Sequence, residues 1–274
     1  MFCLVFFTPA VAGQEGADFQ ALDREPPRPA APDPALKASP RGALLPTAGG
    51  VLAHVAAGGP WRTRIVLFNG DPGVTAEGTL SFYRSTGEPL RLTLFNGRKT
   101  VNASNFGISL PPRNTMFLET VDLTAATEVG YAELQSKTGK LTGYGIFRAV
   151  LPGAPNLEAV VPLEWGVSDE VLLAYDNTGG FVTSVAIANR WLFLPCEWRA
   201  EVYDEDGVFL ASYHKMQPGG THTAFETWRE WPATAGRRGM VRLSRVGSSG
   251  AFAALALLFN PTGSLTTAPV IDLP

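Results

Sequence analysis

VLLAYDNTGGFVTSVAIAN, residues 171–189, decides the fold, because VLAHVAAGGPWRTRIVLFN, residues 51–69, lies over it without a gap. Asn69 meets Asn189, and Gly58-Gly59 falls one position from Gly179-Gly180. Alone, the Asp-Asn-Thr-Gly-Gly run reads equally as a ligand-gripping loop or as a turn that launches a strand. A phosphate loop needs a helix after it, whereas FVTSVAIAN alternates like a strand. In the earlier copy Asp176, Asn177 and Thr178 give way to Ala or Val while the glycine pair persists. The glycines are therefore architectural, ending one strand and starting the next.

The likeness continues outward. GTLSFYRSTGEPL (78–90) lies over WRAEVYDEDGVFL (198–210), matching Tyr83 with Tyr203 and Gly87 with Gly207. LPPRNTMFLET (110–120) lies over QPGGTHTAFET (217–227), both ending in Glu-Thr. VGYAELQSKTGKLTGYGIF (129–147) resembles the stretch 238–259, and VVPLEW (160–165) resembles APVIDL (268–273). Such self-similarity marks one structural unit used twice. The first copy has a surplus between Gly87 and Pro111 that contains Asn96-Gly97, a two-residue hairpin signal, so it should carry an extra hairpin. Within each copy the segments are short and alternating, with turns at STGE, EDGV, PGGT, KTGK and GSSG. The expected fold is all-β: two tandem antiparallel β-sandwich domains, 45–166 and 167–274, an internal duplication behind a disordered N-terminal segment. One helical turn is expected at TWREWPATAG (227–236), with Thr227 as its cap and Pro232 as its limit.

Composition agrees. Of 274 residues, 45% are hydrophobic and only 17% charged, with 29 Gly and 22 Pro, as in a chain of strands and turns. A net charge of -3 provides no basic stripe, so nucleic acid is excluded as a partner on electrostatic grounds. Residues 1–12, MFCLVFFTPAVA, read as a signal peptide, with an apolar run and a small-residue cleavage pattern before Gly13. Its positive n-region is missing, so a truncated leader is the expectation here. Residues 13–44, with PPRPAAPDP, read as a disordered spacer. No apolar run approaches the roughly 18 residues of a transmembrane helix. With the leader removed Cys196 has no partner for a bridge, and its place in CEWRAEV makes it a small buried residue.

Candidate chemistry is sparse. His54, His214 and His222 lack the close spacing of a zinc site, and there is neither a G-x-S-x-G elbow nor an H-E-x-x-H pair. Asp204 and Asp206 could offer oxygens to calcium, but the first copy has Arg84-Ser85-Thr86-Gly87 at the same place. What the copies share is the turn glycine, so a hairpin turn is expected there and no metal or cofactor. Glu119 and Glu226, at equivalent positions, read as solvated or capping groups rather than paired glycosidase carboxylates. RWLFLPCEW (190–198) stands apart: Trp191, Leu192 and Phe193 form an apolar run where the first copy has a polar connection. With Trp228 and Trp231 they form the expected contact set for a partner or ligand.

YDNTGGFVTSVAIAN, PGGTHTAF, ATAGRRG and FNPTGSLTTAPV together resemble a duplicated β-sandwich module of predicted extracellular proteins of soil bacteria, including acidobacteria. The resemblance covers about 45–274, and RWLFLPCEW departs from its pattern. It implies a secreted or surface protein with paired sandwiches and supplies no catalytic residues. The expected function is therefore non-catalytic: a secreted or surface structural or adhesive protein, acting through a protein partner or self-association. The alternatives are a carbohydrate-binding module that uses exposed aromatics, and a hydrolase with two titratable groups converging between the halves.

Overall fold

A computed structural model describes residues 18–21, 49–121, 126–150, 153, 156–164 and 169–273. The leader read at 1–12 and most of the spacer lie outside the described residues. Four spacer residues nevertheless form a strand, β1 (Asp18–Ala21). Pairing at a sheet edge is a main-chain matter, so residues without an apolar pattern can still take it up.

Regular structure in the described chain is almost entirely antiparallel strand. The first half contains β2 (Gly49–Ala57), β3 (Trp61–Asn69), β4 (Ala76–Arg84), β5 (Leu92–Phe95) and β6 (Thr100–Ala103). It continues with β7 (Asn105–Leu110), β8 (Thr115–Thr120), β9 (Glu128–Thr138), β10 (Leu141–Ala149) and β11 (Leu157–Glu164). The second half contains β12 (Glu170–Asp176), β13 (Val182–Asn189), β14 (Cys196–Asp204), β15 (Phe209–Gln217) and β16 (His222–Glu226). After the short helix α1 (Thr227–Glu230) and a 3-10 turn (Pro232–Thr234) come β17 (Arg238–Val246), β18 (Phe252–Phe259), β19 (Leu265–Ala268) and β20 (Val270–Asp272). No helix among the described residues is long and apolar enough to cross a membrane.

Strand order follows one scheme in both halves. The first half runs β1-β7-β4-β9-β2-β11-β10-β3-β8-β5-β6 in one sheet; the second runs β15-β14-β17-β12-β20 and, separately, β16-β13-β18-β19. β11 bridges two ladders by pairing with β10 along most of its length and with β2 at Leu163 and Glu164. In the second half that bridging role is divided between β19, on β18, and β20, on β12. The hairpin expected around Asn96-Gly97 is β5–β6, with Gly97 at φ 87°.

The same side chains tie matching corners. Asn69 donates through Nδ2 to the carbonyls of Val74 (2.8 Å) and Leu110 (2.9 Å). Asn189 does the same with Leu194 (2.8 Å), Gln217 (3.2 Å) and Pro218 (3.2 Å). Thr63 Oγ1 accepts from the Ala56 N–H at 3.1 Å, and Thr183 Oγ1 accepts from the Asp176 N–H at 2.8 Å. All four glycines of the two opening pairs lie at positive φ, between 53° and 90°, a region open to Gly at little steric cost. Thr227 departs from expectation: the cap position of α1 falls on Glu226, without a side-chain cap bond. Buried Thr227 instead donates to the Thr183 carbonyl and accepts from Asn177 Nδ2. Its hydroxyl therefore ties the helix to the sheet.

Two apolar clusters hold the molecule. One lies between the two second-half sheets and contains Val171, Tyr175, Trp198, Val202 and Leu243 from the first, and Val185, Ile187, Phe252 and Ala254 from the other. The second cluster fills the first half and also takes in Ala186, Ala188, Ala253, Leu255 and Leu257. β13 and β18 are thus buried on both faces, which is why AALALLF reads as a continuous apolar run instead of an alternation. β2, buried along its whole length, lies against them.

Candidate functional site

The seam between β2 and β13/β18 brings together residues that are far apart in sequence. His54 Nδ1 lies 3.1 Å from His222 Nε2, across 168 positions of chain. His222 Nδ1 is in turn 3.0 Å from Ser85 Oγ, and its backbone N–H donates to the Ser85 carbonyl at 3.1 Å. The sequence spacing of the histidines concealed this pair; only the meeting of β2 with the start of β16 creates it. Burial costs a charged imidazole its hydration, so His54 is pushed down to about 4 and His222 well below its ordinary value. The chain Ser85–His222–His54 is neutral at physiological pH.

Beside His54 opens a cavity of about 210 Å³ that both halves line. The first half contributes Trp61 and Phe147, stacked with ring centres 4.3 Å apart, and the second half contributes Leu255, Leu257 and Phe259. Thr127 and Val129 are exposed at its mouth, while His54 and Leu255 form a buried floor. Deeper in the seam, Glu133, Arg190 and Glu164 form a buried charged group. Arg190 donates to the Gly49 carbonyl at 2.9 Å, and Glu164 accepts from the Ala254 N–H at 3.2 Å. Desolvation raises Glu133 to about 7 and Glu164 to about 8, although the Arg190 charge pulls both down. Glu133 Oε1 is buried with no hydrogen-bond partner.

The residues singled out from the sequence scatter. In the 190–195 connection the run divides: Leu192 packs on the first-half cluster, Trp191 is half-buried, and Phe193 stands 55% exposed. Trp231 is corrected from contact residue to core. It is fully buried, edge-on to Trp198 and Phe225, because Pro232 turns the chain inward immediately after α1. Trp228 is exposed, with the Arg229 guanidinium 4.7 Å above its ring. Trp198 faces the core and donates to Gln217 Oε1 at 3.0 Å. Asp204 spends its Oδ1 within its own turn, accepting from the N–H groups of Asp206 and Val208, and Asp206 is exposed. Glu119 pairs with Arg64 and Arg148, and Glu226 with Arg229. Cys196 is buried, and burial pushes its thiol up to about 11, far from a reactive thiolate. In YDNTGGF, Asn177 fastens the turn to Thr227 and Thr234, and Asp176 accepts from Thr178.

A second feature lies at the sheet edges. β7 is covered by β1, in register from Asp18 opposite Ser109 to Ala21 opposite Phe106. β15, which holds the corresponding place in the second half, has no strand on its outer side among the described residues. Phe209 and Met216 on it are 53% and 58% exposed. Lys215 points inward over the Trp198 and Phe225 rings and pairs with Glu230 at 2.7 Å. An inward lysine commonly guards an edge against pairing, but here Glu230 takes up its charge.

No protein-family model matches the chain, and no curated protein matches it. Among solved structures, the apo form of Pleurotus ostreatus lectin is similar at 16% identity, over 83% of this chain and 78% of that one, with a TM-score of 0.23. At that TM-score the two chains do not superpose closely enough for any property to be carried across.

Proposed function

We propose that this chain is a non-catalytic exported protein that works by contact, built from one antiparallel β-sandwich used twice. Supporting the duplication are the shared strand order, the Asn69/Asn189 and Thr63/Thr183 ties, and the glycine pairs. Export rests on the apolar leader and the Pro-rich spacer. The observation that carries the contact reading is the edge of β15: its counterpart β7 is covered by β1, whereas β15 has no strand on its outer side among the described residues and bears Phe209 and Met216. An open edge with apolar side chains is a template for strand addition. Two copies that pair β15 with β15 about a twofold axis would extend the five-stranded sheet across both molecules, a self-complementary contact.

The hydrolase reading draws on the seam histidines. Among the described residues the polar neighbour in their hydrogen-bonded line is Ser85, and burial leaves both imidazoles weak bases, so the arrangement favours binding over proton transfer. Sedimentation velocity over a range of concentrations tests the contact reading. The parent should self-associate, and Phe209→Lys with Met216→Lys should abolish association while leaving the melting temperature unchanged. A parent that stays monomeric at high concentration refutes pairing through β15. Glycan-array binding that Trp228→Ala or Phe193→Ala removes would establish the carbohydrate alternative instead.

A further inference from the structure

The seam cavity has a specific chemistry. Its walls are apolar, with the stacked Trp61 and Phe147 rings on one side and Leu255, Leu257 and Phe259 on the other. The polar side chain at its floor is His54, which is 9% exposed, and the hydroxyls of Ser184 and Thr127 also lie on its lining. His222 occupies Nδ1 of that ring, and no described residue partners Nε2. A ring nitrogen that no described protein group satisfies is open to a hydrogen bond from a ligand in the cavity.

We propose that this cavity binds a small uncharged aromatic molecule bearing one hydroxyl group, of the size and chemistry of phenol, with the hydroxyl on His54 Nε2. The volume fits: an apolar cavity of roughly 150 Å³ is enough to hold benzene, and this one is about 210 Å³. The wall fits, since offset or edge contacts with Trp61 and Phe147 favour an aromatic guest over an aliphatic one. The hydroxyl fits for a reason that lies in the relay behind His54. If Ser85 donates to His222, then His222 donates to His54 and Nε2 presents a proton to the cavity. If His54 donates to His222, then His222 donates to Ser85 and Nε2 presents a lone pair. A hydroxyl accepts in the first state and donates in the second, so it satisfies both, whereas a carbonyl satisfies one. A carboxylate is disfavoured because it would draw a proton onto an imidazole that burial keeps neutral.

Calorimetric titration of the whole chain with phenol, benzene and benzoate at pH 7 tests this. Phenol should bind roughly three- to tenfold more tightly than benzene, the worth of one recovered hydrogen bond, and benzoate should not bind. His54→Phe should retain benzene and lose the preference for phenol, and Leu257→Trp, which fills the cavity, should abolish both. Because His54→Phe could unfold by stranding His222, the parent also supplies a direct readout. The imidazole nitrogen resonances of His54 should shift with phenol and stay in place with benzoate. Equal affinity for phenol and benzene, phenol binding that survives Leu257→Trp, or unmoved His54 resonances would each overturn the proposal.

Discussion

Asn189 reaches three main-chain carbonyls from a position with no solvent exposure. Removing its amide strands acceptors that water cannot reach, at about 1–3 kcal/mol each before relaxation. Asn189→Ala should therefore lower stability by about 2–3 kcal/mol in urea titrations, and Asn69→Ala by a similar amount. Asn177→Ala should cost about 1–2 kcal/mol, because its partners Thr227 and Thr234 keep other bonds. Asn69 and Asn189 are visible in the sequence once the two halves are aligned, since the matched position persists while its neighbours change. His54 and His222 give no such signal: they occupy unmatched positions in the two copies, and their meeting depends on how the halves dock. The aromatic run at 191–194 was legible as an anomaly but not in its direction. Alternation cannot tell which residues of a connection turn toward a neighbouring half, and here Leu192 turns inward while Phe193 turns out.

Whole elements were more legible than single contacts. Asn96-Gly97 marked the β5–β6 hairpin because Gly97 takes a positive φ that a two-residue turn demands. Pro232 marked the end of α1 because its ring cannot continue a helix. β1 was illegible, since DFQA carries no pattern of its own and gains strand form only from the edge of β7. That edge makes a prediction at this scale. A chain truncated to begin at Gly49 leaves β7 uncovered, so β7 and β15 then both lack an outer strand among the described residues. Light scattering should report species larger than dimers for the truncated chain, and Phe209→Lys with Met216→Lys should reduce them to dimers paired through β7. If truncation leaves the association state of the parent unchanged, β1 does not protect that edge.

For the molecule as a whole, buried titratable groups set opposing slopes of stability against pH. His54 and His222 have folded values below the ordinary 6.5, so the unfolded chain binds more protons and stability falls as pH drops from about 6.5. Glu133 and Glu164 have folded values of about 7 and about 8, above the ordinary 4.5, so stability falls as pH rises from 4.5 toward 8. Between these limits the slopes oppose each other. Melting temperature should show a broad maximum near pH 4.5–6.5 and decline on both sides. Glu164→Gln should lift the alkaline limb at pH 8 and change little at pH 5, a difference that thermal melts at the two values measure directly.

The burial of β13 and β18 on both faces has a consequence for heredity as well as for folding. A chain fragment comprising residues 167–274 would present Ala186, Ala188, Ala253, Leu255 and Leu257 to water, so it is not a portable module. Calorimetry of the intact chain should show one cooperative transition rather than two. The second half has a second buried face in place of independence. Under the duplication proposed above, the two halves could not be shuffled, lost or transplanted separately, and selection would act on them as a single unit.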